Sequence, residues 1–305
     1  MVKRLLFAYL SVLCGENRFL DFFANFIYRT RAKHLPELPE VETTRRGLAP
    51  HLEGQTIQAV VIRHPTLRWP VPQQLQTLLP GKRISQIQRR AKYLLFDTEA
   101  GWLIVHLGMS GSLRILPAST PPGKHDHFDL VLANGMAMRL CDPRRFGAVL
   151  WAGDDPDAHP LLATLGMEPM TADFTAEKFF AATRTRASAI KQVLMDGHLL
   201  VGVGNIYASE ALFAAKINPK TQAKRLSLAR VQRLCAAVNE TLERALRAGG
   251  STLRDFVKTD GEPGYFQLES AVYGRADEAC RACGTTIRQI RQGQRSTFYC
   301  PVCQR

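Results

Sequence analysis

The first half of the chain carries the hydrophobic pattern of β-strands. The segments TIQAVVIRH, KRISQIQ, KYLLFDTEAGWLIVHL and GSLRIL alternate apolar and polar positions or are continuously apolar and β-branched. In DLVLANGMAMRL, Asn134-Gly135 separates two such runs, which is a strong hairpin signal. Before them, PEVETTRRGLAPHL predicts a helix with an acidic first turn that ends around Gly47 and Pro50. This pattern predicts one helix and a largely antiparallel sheet system from residue 36 to about residue 165.

The hydrophobic period changes after the segment LGMEPM. The segments TAEKFFAATRT, ASAIKQVLMDG, NIYASEALFAAK and SLARVQRLCAAVNETLERALRAGG place apolar residues at helical spacing. The last of them predicts a long helix that Ser227 caps and Gly249-Gly250 ends. The glycine-rich segment KTDGEPGYFQLESAVYGRADEA then predicts a loop. A helical region therefore follows the sheet region.

Four of the seven cysteines fall within the last 26 residues. They form two Cys-x2-Cys pairs separated by sixteen residues, a spacing that suits tetrahedral zinc ligation by four thiolates. Two disulfides are the alternative, but nothing else in the sequence suggests a secreted scaffold. Because the protein supplies all four ligands, we expect one structural Zn²⁺ ion, and its predicted ligands are Cys280, Cys283, Cys300 and Cys303.

The charge of the chain favours a polyanionic partner. Forty Lys and Arg residues oppose 27 Asp and Glu residues, a net charge of +13. Nucleic acid fits this excess better than an acidic membrane surface does. Between the cysteine pairs, Arg288, Arg291 and Arg295 alternate with apolar residues, which predicts a hairpin whose arginines contact phosphates. A solvated basic hairpin is the alternative, and the net charge tips the choice to nucleic acid.

The first 35 residues differ from the rest. MVKRLLFAYLSVLCG resembles a weak signal peptide, with a basic start and a short apolar run. The run is too short to span a membrane, and no clear cleavage site follows. We therefore expect no membrane partner.

The segment KHLPELPEVETTRRG, at residues 33–47, suggests covalent chemistry. An N-terminal proline is a secondary amine with a pKa of about 8, so it is a nucleophile near neutral pH. It can attack a sugar carbon and form an iminium, and Glu37 can move protons at the sugar ring. Inside a chain the nitrogen of Pro36 is a tertiary amide, and this chemistry is not available.

Several segments in the same order resemble the bacterial formamidopyrimidine-DNA glycosylases, the enzymes that repair 8-oxoguanine. They are PELPEVETTRRG, RRAKYLL, HLGMSGSLRIL, KHDHFDLV, DPRRFG, VGVGNIYASEALF, DGEPGYF, VYGR and the four cysteines. The resemblance covers residues 36–305. PELPEVE favours this branch over the related endonuclease VIII type, whose start would read Pro-Glu-Gly-Pro-Glu.

The resemblance implies an α+β multi-domain fold. An N-terminal β-sandwich with flanking helices is expected over residues 36–166, and a helix–two-turns–helix DNA-binding domain with a lesion loop over residues 167–270. A β-hairpin zinc finger is expected over residues 271–305. Residues 1–35 are then an extension that the family lacks.

The extension decides whether the chemistry is available. In the family, an initiator Met precedes the catalytic proline, and here Leu35 stands in its place. Our hypothesis is that the Leu35 codon starts translation and is read as Met, whose removal frees Pro36. The alternatives are a pre-segment that is cut before Pro36 and a retained extension in an enzyme inactive in base excision.

The resemblance also assigns residues to roles. Pro36 would be the nucleophile, Glu37 the proton-transfer group, and Lys92 and Arg295 the cations that hold phosphates at the damaged nucleotide. Met109, Arg144 and Phe146 would fill the gap that a flipped base leaves and pair with the orphaned base. Further expected DNA contacts are His106, Lys191, Asn205, Tyr207 and Glu210, with Asn205 capping the helix that follows it and Glu210 near the lesion base.

The expected activity is that of a bifunctional DNA glycosylase and abasic-site lyase for oxidised purines. Its partner would be duplex DNA, and the protein would act as a cytoplasmic, nucleoid-associated monomer. An endonuclease VIII-like enzyme for oxidised pyrimidines is one alternative. A non-catalytic damaged-DNA-binding protein is the other, if Pro36 is never freed.

Overall fold

The computed structural model describes residues 36–249, 253–257, 263–264 and 270–305. The predicted extension and residues 258–262 and 265–269 of the predicted loop therefore lie outside the described residues. No helix within the described ranges is both long and apolar enough to cross a membrane.

Helix α1 (Leu38–Leu52) opens the described chain. The helix ends at Leu52, the last residue of the predicted segment, although Gly47 and Pro50 were expected to mark its end and Pro50 lies inside it. Proline removes one helical hydrogen bond and disfavours a helix interior. Leu48 and Leu52 are fully buried on either side of it, so core packing holds the last turn in helical form.

Two four-stranded antiparallel sheets form a β-sandwich. One sheet has the strand order β1-β6-β7-β5 and the other has the order β2-β3-β4-β8. Asn134-Gly135 joins β6 to β7 as predicted, with Gly135 at a φ of 83°. The strands are β1 (Ile57–Ile62), β2 (Ile84–Arg90), β3 (Tyr93–Thr98), β4 (Gly101–His106), β5 (Ser112–Pro117), β6 (Asp126–Leu132), β7 (Met136–Cys141) and β8 (Ala148–Gly153), with a short helix, α2 (Leu75–Leu78), between β1 and β2.

Alternation along β3 shows how the sandwich core is built. Leu94 and Phe96 pack between the two sheets. Leu95, between them in sequence, packs on the outer face with Ile104 and Leu162. Successive side chains of a strand point to opposite faces, so this continuously apolar strand fills two cores at once.

The second half of the chain is helical, as its hydrophobic period predicted. Ser227 caps α6 by accepting a hydrogen bond from the Arg230 N–H at 3.4 Å, and the left-handed Gly249 follows the end of that helix. Leu38 packs in this helical core although it belongs to α1. The helices are α3 (Ala176–Thr183), α4 (Ile190–Leu194), α5 (Asn205–Ala214) and α6 (Leu228–Arg247), with a 3₁₀ turn at Ala223–Arg225.

Two small hairpins complete the described fold. Strands β9 (Leu253–Val257) and β10 (Pro263–Gly264) pair antiparallel at the start of the predicted loop. Strands β11 (Arg288–Gln292) and β12 (Arg295–Tyr299) form the predicted hairpin between the cysteine pairs. The expected α+β architecture of sandwich, helical region and C-terminal hairpin is confirmed.

Candidate active site

Several of the predicted site residues lie at one end of the strands of the second sheet. Strands β2 and β3 are joined by the two-residue turn Ala91-Lys92, so Lys92 lies at this end. Tyr93, the first residue of β3, pairs with His106 at the end of β4. His106 also pairs with Ala148 at the start of β8. The loop that follows β4 and the loop that precedes β8 therefore both lie near Lys92.

His106 is held in one protonation state. Its Nδ1 accepts a hydrogen bond from the Gly108 N–H at 3.0 Å, so the ring proton resides on Nε2. Burial, with Lys92 nearby, lowers the pKa of His106 to about 4. The ring is therefore neutral near pH 7, and its Nε2–H can donate to a phosphate without a change of charge.

The loops that carry Met109, Arg144 and Phe146 touch each other backbone to backbone. A Cβ atom on Gly108, whose φ is +64°, would lie 2.3 Å from the carbonyl carbon of Phe146. The Phe146 side chain is 44% exposed, and the Arg144 guanidinium carbon lies 4.9 Å from the centre of its ring. Met109 is half-buried beside them. An exposed aromatic ring under a guanidinium group suits insertion into a base stack.

Asp142 ties these two loops together. Its carboxylate is fully buried and accepts hydrogen bonds from the Ser110 hydroxyl at 2.7 Å and the Gly147 N–H at 2.7 Å. The Arg144 N–H donates to it at 3.3 Å. Asp142 was not among the predicted site residues, although it opens the DPRRFG motif. Its partner Ser110 lies 32 positions earlier in the chain, so the sequence alone does not show which loop Asp142 holds.

Glu37 lies at the start of helix α5. Its carboxylate accepts hydrogen bonds from the backbone N–H groups of Gly204 at 2.8 Å, Ile206 at 3.1 Å and Tyr207 at 3.4 Å. Burial raises the pKa of Glu37, while the nearby Lys92 and the N–H groups of Ile206 and Gly204 oppose that rise. The positive end of a helix stabilises a carboxylate, so this site holds a buried acid next to Pro36, which is half-buried.

The four predicted zinc ligands converge. The Sγ atoms of Cys283 and Cys300 are 3.5 Å apart and those of Cys280 and Cys303 are 4.0 Å apart, with all four within 4.8 Å of one another. Tetrahedral coordination with Zn–S bonds of about 2.3 Å requires Sγ separations of about 3.8 Å. The cluster therefore fits one zinc ion, and because it uses all four coordination positions, the role of the metal is structural.

Comparison with known proteins identifies the family. The family models for the formamidopyrimidine-DNA glycosylase N-terminal domain, its H2TH domain and the zinc finger found in FPG and IleRS match residues 35–149, 165–257 and 277–305. The formamidopyrimidine-DNA glycosylase of Herminiimonas arsenicoxydans is 57% identical over 89% of this chain and all of that protein. That of Pseudomonas aeruginosa strain LESB58 is 55% identical over the same shares.

The chain belongs to the formamidopyrimidine-DNA glycosylase family.

Solved structures of family members agree with this. The MutM (Fpg) protein of Thermus thermophilus is 41% identical and superimposes with a TM-score of 0.77 over 88% of this chain and 98% of that one. Lactococcus lactis Fpg in complex with abasic-site DNA is 34% identical, with a TM-score of 0.80 over 88% of this chain and 99% of that one. The predicted helix–two-turns–helix region and zinc finger are thereby confirmed.

The role predicted for Asn205 from the family resemblance needs correction. Gly204, not Asn205, is the N-cap of α5, and it makes no side-chain cap bond. The Glu37 carboxylate fills that place. The Asn205 side chain is instead held sideways: its Oδ1 accepts from Lys191 Nζ at 2.7 Å, and its amide donates to the Tyr273 hydroxyl at 3.4 Å. Asn205 remains half-exposed at the helix start.

Tyr207 does not reach the surface in this family member. Its side chain is 1% exposed, and its hydroxyl donates to Glu40 Oε1 at 2.6 Å. Glu40 Oε2 accepts from the Glu37 backbone N–H at 2.9 Å. The Tyr207 side chain therefore has a supporting role, because Tyr207 and Glu40 fix the residues next to Pro36. Glu40 was missed, although its place three residues after Glu37 is that of a capping box.

Lys191 is also buried, at 1% exposure. Besides Asn205, its ammonium donates to the Thr297 hydroxyl at 2.8 Å and the Ser296 carbonyl at 3.1 Å. Burial lowers the pKa of Lys191 to about 7. The predicted DNA contact therefore becomes an internal link that ties α4 to α5 and to the zinc hairpin, where the exposed Arg295 precedes Ser296.

The Glu210 carboxylate is engaged in hydrogen bonds with backbone N–H groups. Its carboxylate accepts hydrogen bonds from the N–H groups of Ala271 at 2.7 Å, Val272 at 3.0 Å and Tyr273 at 2.8 Å. The side chain is 2% exposed. The predicted contact with the lesion base is therefore revised, because Glu210 anchors the C-terminal end of the predicted base-closing loop.

Proposed function

We propose that this protein is a bifunctional DNA glycosylase and abasic-site lyase that removes oxidised purines, such as 8-oxoguanine and formamidopyrimidines, from duplex DNA. Membership of the formamidopyrimidine-DNA glycosylase family supports the reaction class, and relatives from Lactococcus lactis were solved with abasic-site and Fapy-dG DNA. The observation that carries the proposal is the placement of Glu37. It is a buried acid, adjacent in sequence to Pro36, held by a helix start and close to Lys92.

The proposed reaction uses the nitrogen of Pro36 as the nucleophile. The amine attacks C1′ of the damaged nucleotide and a C–N bond forms. The base leaves with the electrons of the glycosidic bond and takes up a proton, while the Pro36 nitrogen loses the proton that it carried as an amine. Glu37 transfers a proton to the sugar ring oxygen as the ring opens, which gives an iminium between Pro36 and C1′. Successive β- and δ-eliminations then release the 3′ and 5′ phosphates, and the strand is cut on both sides. Lys92 and the exposed Arg295 are proposed to hold those phosphates.

This chemistry requires a free amine at Pro36. We therefore propose that the active chain begins at Pro36, after a start at Leu35 or a cut in front of Pro36. The match to the family's N-terminal domain model begins at residue 35, which supports this position.

The proposed DNA site is the surface that these groups share. Phe146 and Arg144 are exposed and would enter the stack, while His106, Asn205 and Arg295 would contact the backbone around the flipped nucleotide. The zinc ion would hold the hairpin that presents Arg295. We propose that the protein acts as a monomer on chromosomal DNA.

Borohydride trapping on an 8-oxoguanine duplex tests the proposal. The protein should be made from its native upstream DNA, and the trapped peptide identified by mass spectrometry. We expect an adduct on a peptide that begins at Pro36, and slower strand nicking by a Pro36→Gly variant, whose N-terminal primary amine can still form a Schiff base. Unchanged strand nicking by that variant, or an intact extension with no adduct, would refute the mechanism and favour a damaged-DNA-binding protein.

A substrate comparison tests the specificity separately. Excision should be faster from an 8-oxoguanine duplex than from a thymine glycol duplex of the same sequence. The reverse order would assign the protein an endonuclease VIII-like activity while leaving the proline chemistry in place.

A further inference from the structure

The turn that carries Lys92 has an unusual backbone. Ala91 and Lys92 are the two residues that join β2 to β3, and Ala91 has a φ of +54°. A residue other than glycine rarely adopts this left-handed conformation, and it persists where surrounding contacts hold it. The direction in which Lys92 leaves the sheet therefore depends on what holds this turn.

Glu168 supplies that hold from a distant part of the sequence. Its carboxylate accepts a hydrogen bond from the Ala91 N–H at 3.0 Å and charge-assisted bonds from the guanidinium groups of Arg89 and Arg90, the second at 2.7 Å. The Glu168 side chain is only 13% exposed. Arg90 also donates to the Gly166 carbonyl at 2.8 Å. Partly buried charge-assisted bonds are among the stronger hydrogen bonds in proteins.

The segment that holds Glu168 is tied to the chain that receives Glu37. The Met167 N–H donates to the Leu199 carbonyl at 2.9 Å, and the Val201 N–H donates to the Met167 carbonyl at 3.0 Å. Three residues after Val201, the Gly204 N–H donates to the Glu37 carboxylate. The Glu168 carboxylate and these backbone bonds therefore connect the Lys92 turn to the helix start that holds Glu37, through the linker between the sandwich and the helical region, in which Glu168 lies.

We propose that Glu168 is a positioning residue, which keeps the Lys92 ammonium in register with Glu37 by clamping the Ala91-Lys92 turn to the linker between the sandwich and the helical region. This inference rests on the proposed function, in which Lys92 and Glu37 act on the same nucleotide. Each of these two residues affects the pKa of the other, so the two groups lie close enough to interact.

The local charge makes the clamp sensitive to this one carboxylate. Arg89 is shared between two acids, since it also pairs with Glu42 on α1. Four guanidinium groups and two carboxylates meet here, those of Arg45, Arg46, Arg89 and Arg90 and those of Glu42 and Glu168. Without the Glu168 charge, the attraction that draws Arg89 and Arg90 to the linker would be lost, and one carboxylate would remain among the four guanidinium groups.

A double-mutant cycle tests the proposal. Glu168→Gln keeps the size of the side chain and removes its charge. A misplacement of a catalytic group by about 1 Å can slow a reaction about a hundredfold. The variant keeps part of the clamp, so in single-turnover cleavage of an abasic-site duplex we expect a smaller slowing, by about tenfold. In a Lys92→Met background the same change should have an effect below about twofold, since the group it positions is gone.

Two further variants guard the result. Glu99→Gln is the matched control, because Glu99 pairs with Arg83 at the opposite end of the same β2–β3 hairpin, and its rate should equal that of the parent protein. Arg90→Gln removes the bond to Glu168 from the other side and should slow the reaction in the same way. It replaces Glu168→Gln as the test if Glu168→Gln does not fold. Equal slowing by Glu168→Gln with and without Lys92, or no slowing at all, would overturn the proposal.

A second readout needs no catalysis. Labelling of lysines in the free protein with an N-hydroxysuccinimide ester, followed by mass spectrometry, reports how accessible Lys92 is. We expect Glu168→Gln to raise the labelling rate at Lys92 several-fold relative to other lysines and Glu99→Gln to leave it unchanged. If the parent protein does not cleave DNA, the proposed function fails, while unchanged labelling in Glu168→Gln rejects the clamp by itself.

Discussion

Glu37 combines two demands that few carboxyl groups meet. It accepts three backbone N–H groups at a helix start, which favours the ionised form, yet it is 3% exposed, and burial raises its pKa above the ordinary value of 4.5. An acid with a raised pKa retains its proton closer to neutral pH than an exposed glutamate does. That property suits proton transfer to a sugar oxygen.

Replacing Glu37 by Gln should slow base excision by about a hundredfold or more, because the amide cannot transfer a proton. The measurement is single-turnover release of 8-oxoguanine, with Glu53→Gln as a control at the opposite end of the same helix. General acids and bases typically accelerate a reaction by about 10²–10⁴-fold. A Glu37→Gln rate within about twofold of the parent rate would therefore show that Glu37 does not transfer the proton.

The same variant yields a pH prediction for stability. A group whose pKa is raised by folding contributes stability that is complete below its ordinary pKa and is lost as the pH rises through the raised value. The difference in free energy of unfolding between the parent and Glu37→Gln should therefore fall as the pH rises from 4.5. Urea unfolding at several pH values measures it, and a difference that grows with pH would contradict the raised pKa.

His106 gives a spectroscopic prediction at the same scale. With Nδ1 accepting from the Gly108 N–H and a pKa lowered to about 4, the ring should remain a single Nε2–H tautomer from about pH 5 to pH 8. Long-range ¹H–¹⁵N correlation spectra across this range measure both features. A titration with a midpoint near the ordinary value of 6.5 would contradict the structure.

At the scale of elements, the site forms where the N-terminus of helix α1 meets the N-terminus of helix α5. Leu38 packs in the helical core, while Val41 packs in the sandwich core, so α1 joins the two. This fixes Glu37 against the start of α5. Gly204 makes the approach feasible, because a Cβ atom there would lie 2.3 Å from the Glu37 carboxyl carbon.

Gly204→Ala should therefore displace Glu37 and lower the rate of base excision by about a hundredfold. The backbone at Gly204, with φ −117°, suits alanine, so the cause would be steric conflict and not backbone strain. Gly197→Ala is the matched control, since nothing lies within 4 Å of a Cβ atom at that position. Equal rates for the two variants would mean that the Glu37 contact is not required.

At the scale of the whole molecule, zinc holds the hairpin in place. The apolar cluster around it is small, so the metal must supply much of the local stability. Its buried members are Val272, Ile287 and Phe298 with two of the cysteines. Apparent zinc-binding free energies in small domains are about 10–16 kcal/mol. The hairpin in turn supplies Ser296 and Thr297 to Lys191, which connects the metal to the start of α5.

Removal of zinc with a chelator should raise amide hydrogen exchange across residues 277–305 and leave the sandwich strands protected. DNA binding should weaken, because Arg295 loses its fixed position. Metal analysis must show that the zinc is gone, and readdition of zinc should restore both properties. Unchanged exchange in metal-free protein would contradict a structural role.

Local pattern was sufficient for much of this molecule. The zinc ligands follow from two short cysteine spacings, the β6–β7 hairpin from Asn134-Gly135, and the cap of α6 from Ser227, because neighbouring residues decide each of these. The expected stop signals Gly47 and Pro50 do not end helix α1, because distant residues decide where it ends. Its end depends on the burial of Leu48 and Leu52 in a core assembled from distant strands.

The sequence by itself determined which groups the protein carries: the Pro36-Glu37 pair, the cysteine pairs, and the loops with Met109, Arg144 and Phe146. Only the tertiary structure decided what several of them touch. Glu37 meets a helix start 167 residues away, Lys191 meets Thr297 106 residues away, and Glu168 meets Ala91 77 residues away. Hydrogen bonds across such separations depend on how the whole chain packs, and no local pattern of hydrophobic and polar residues encodes them.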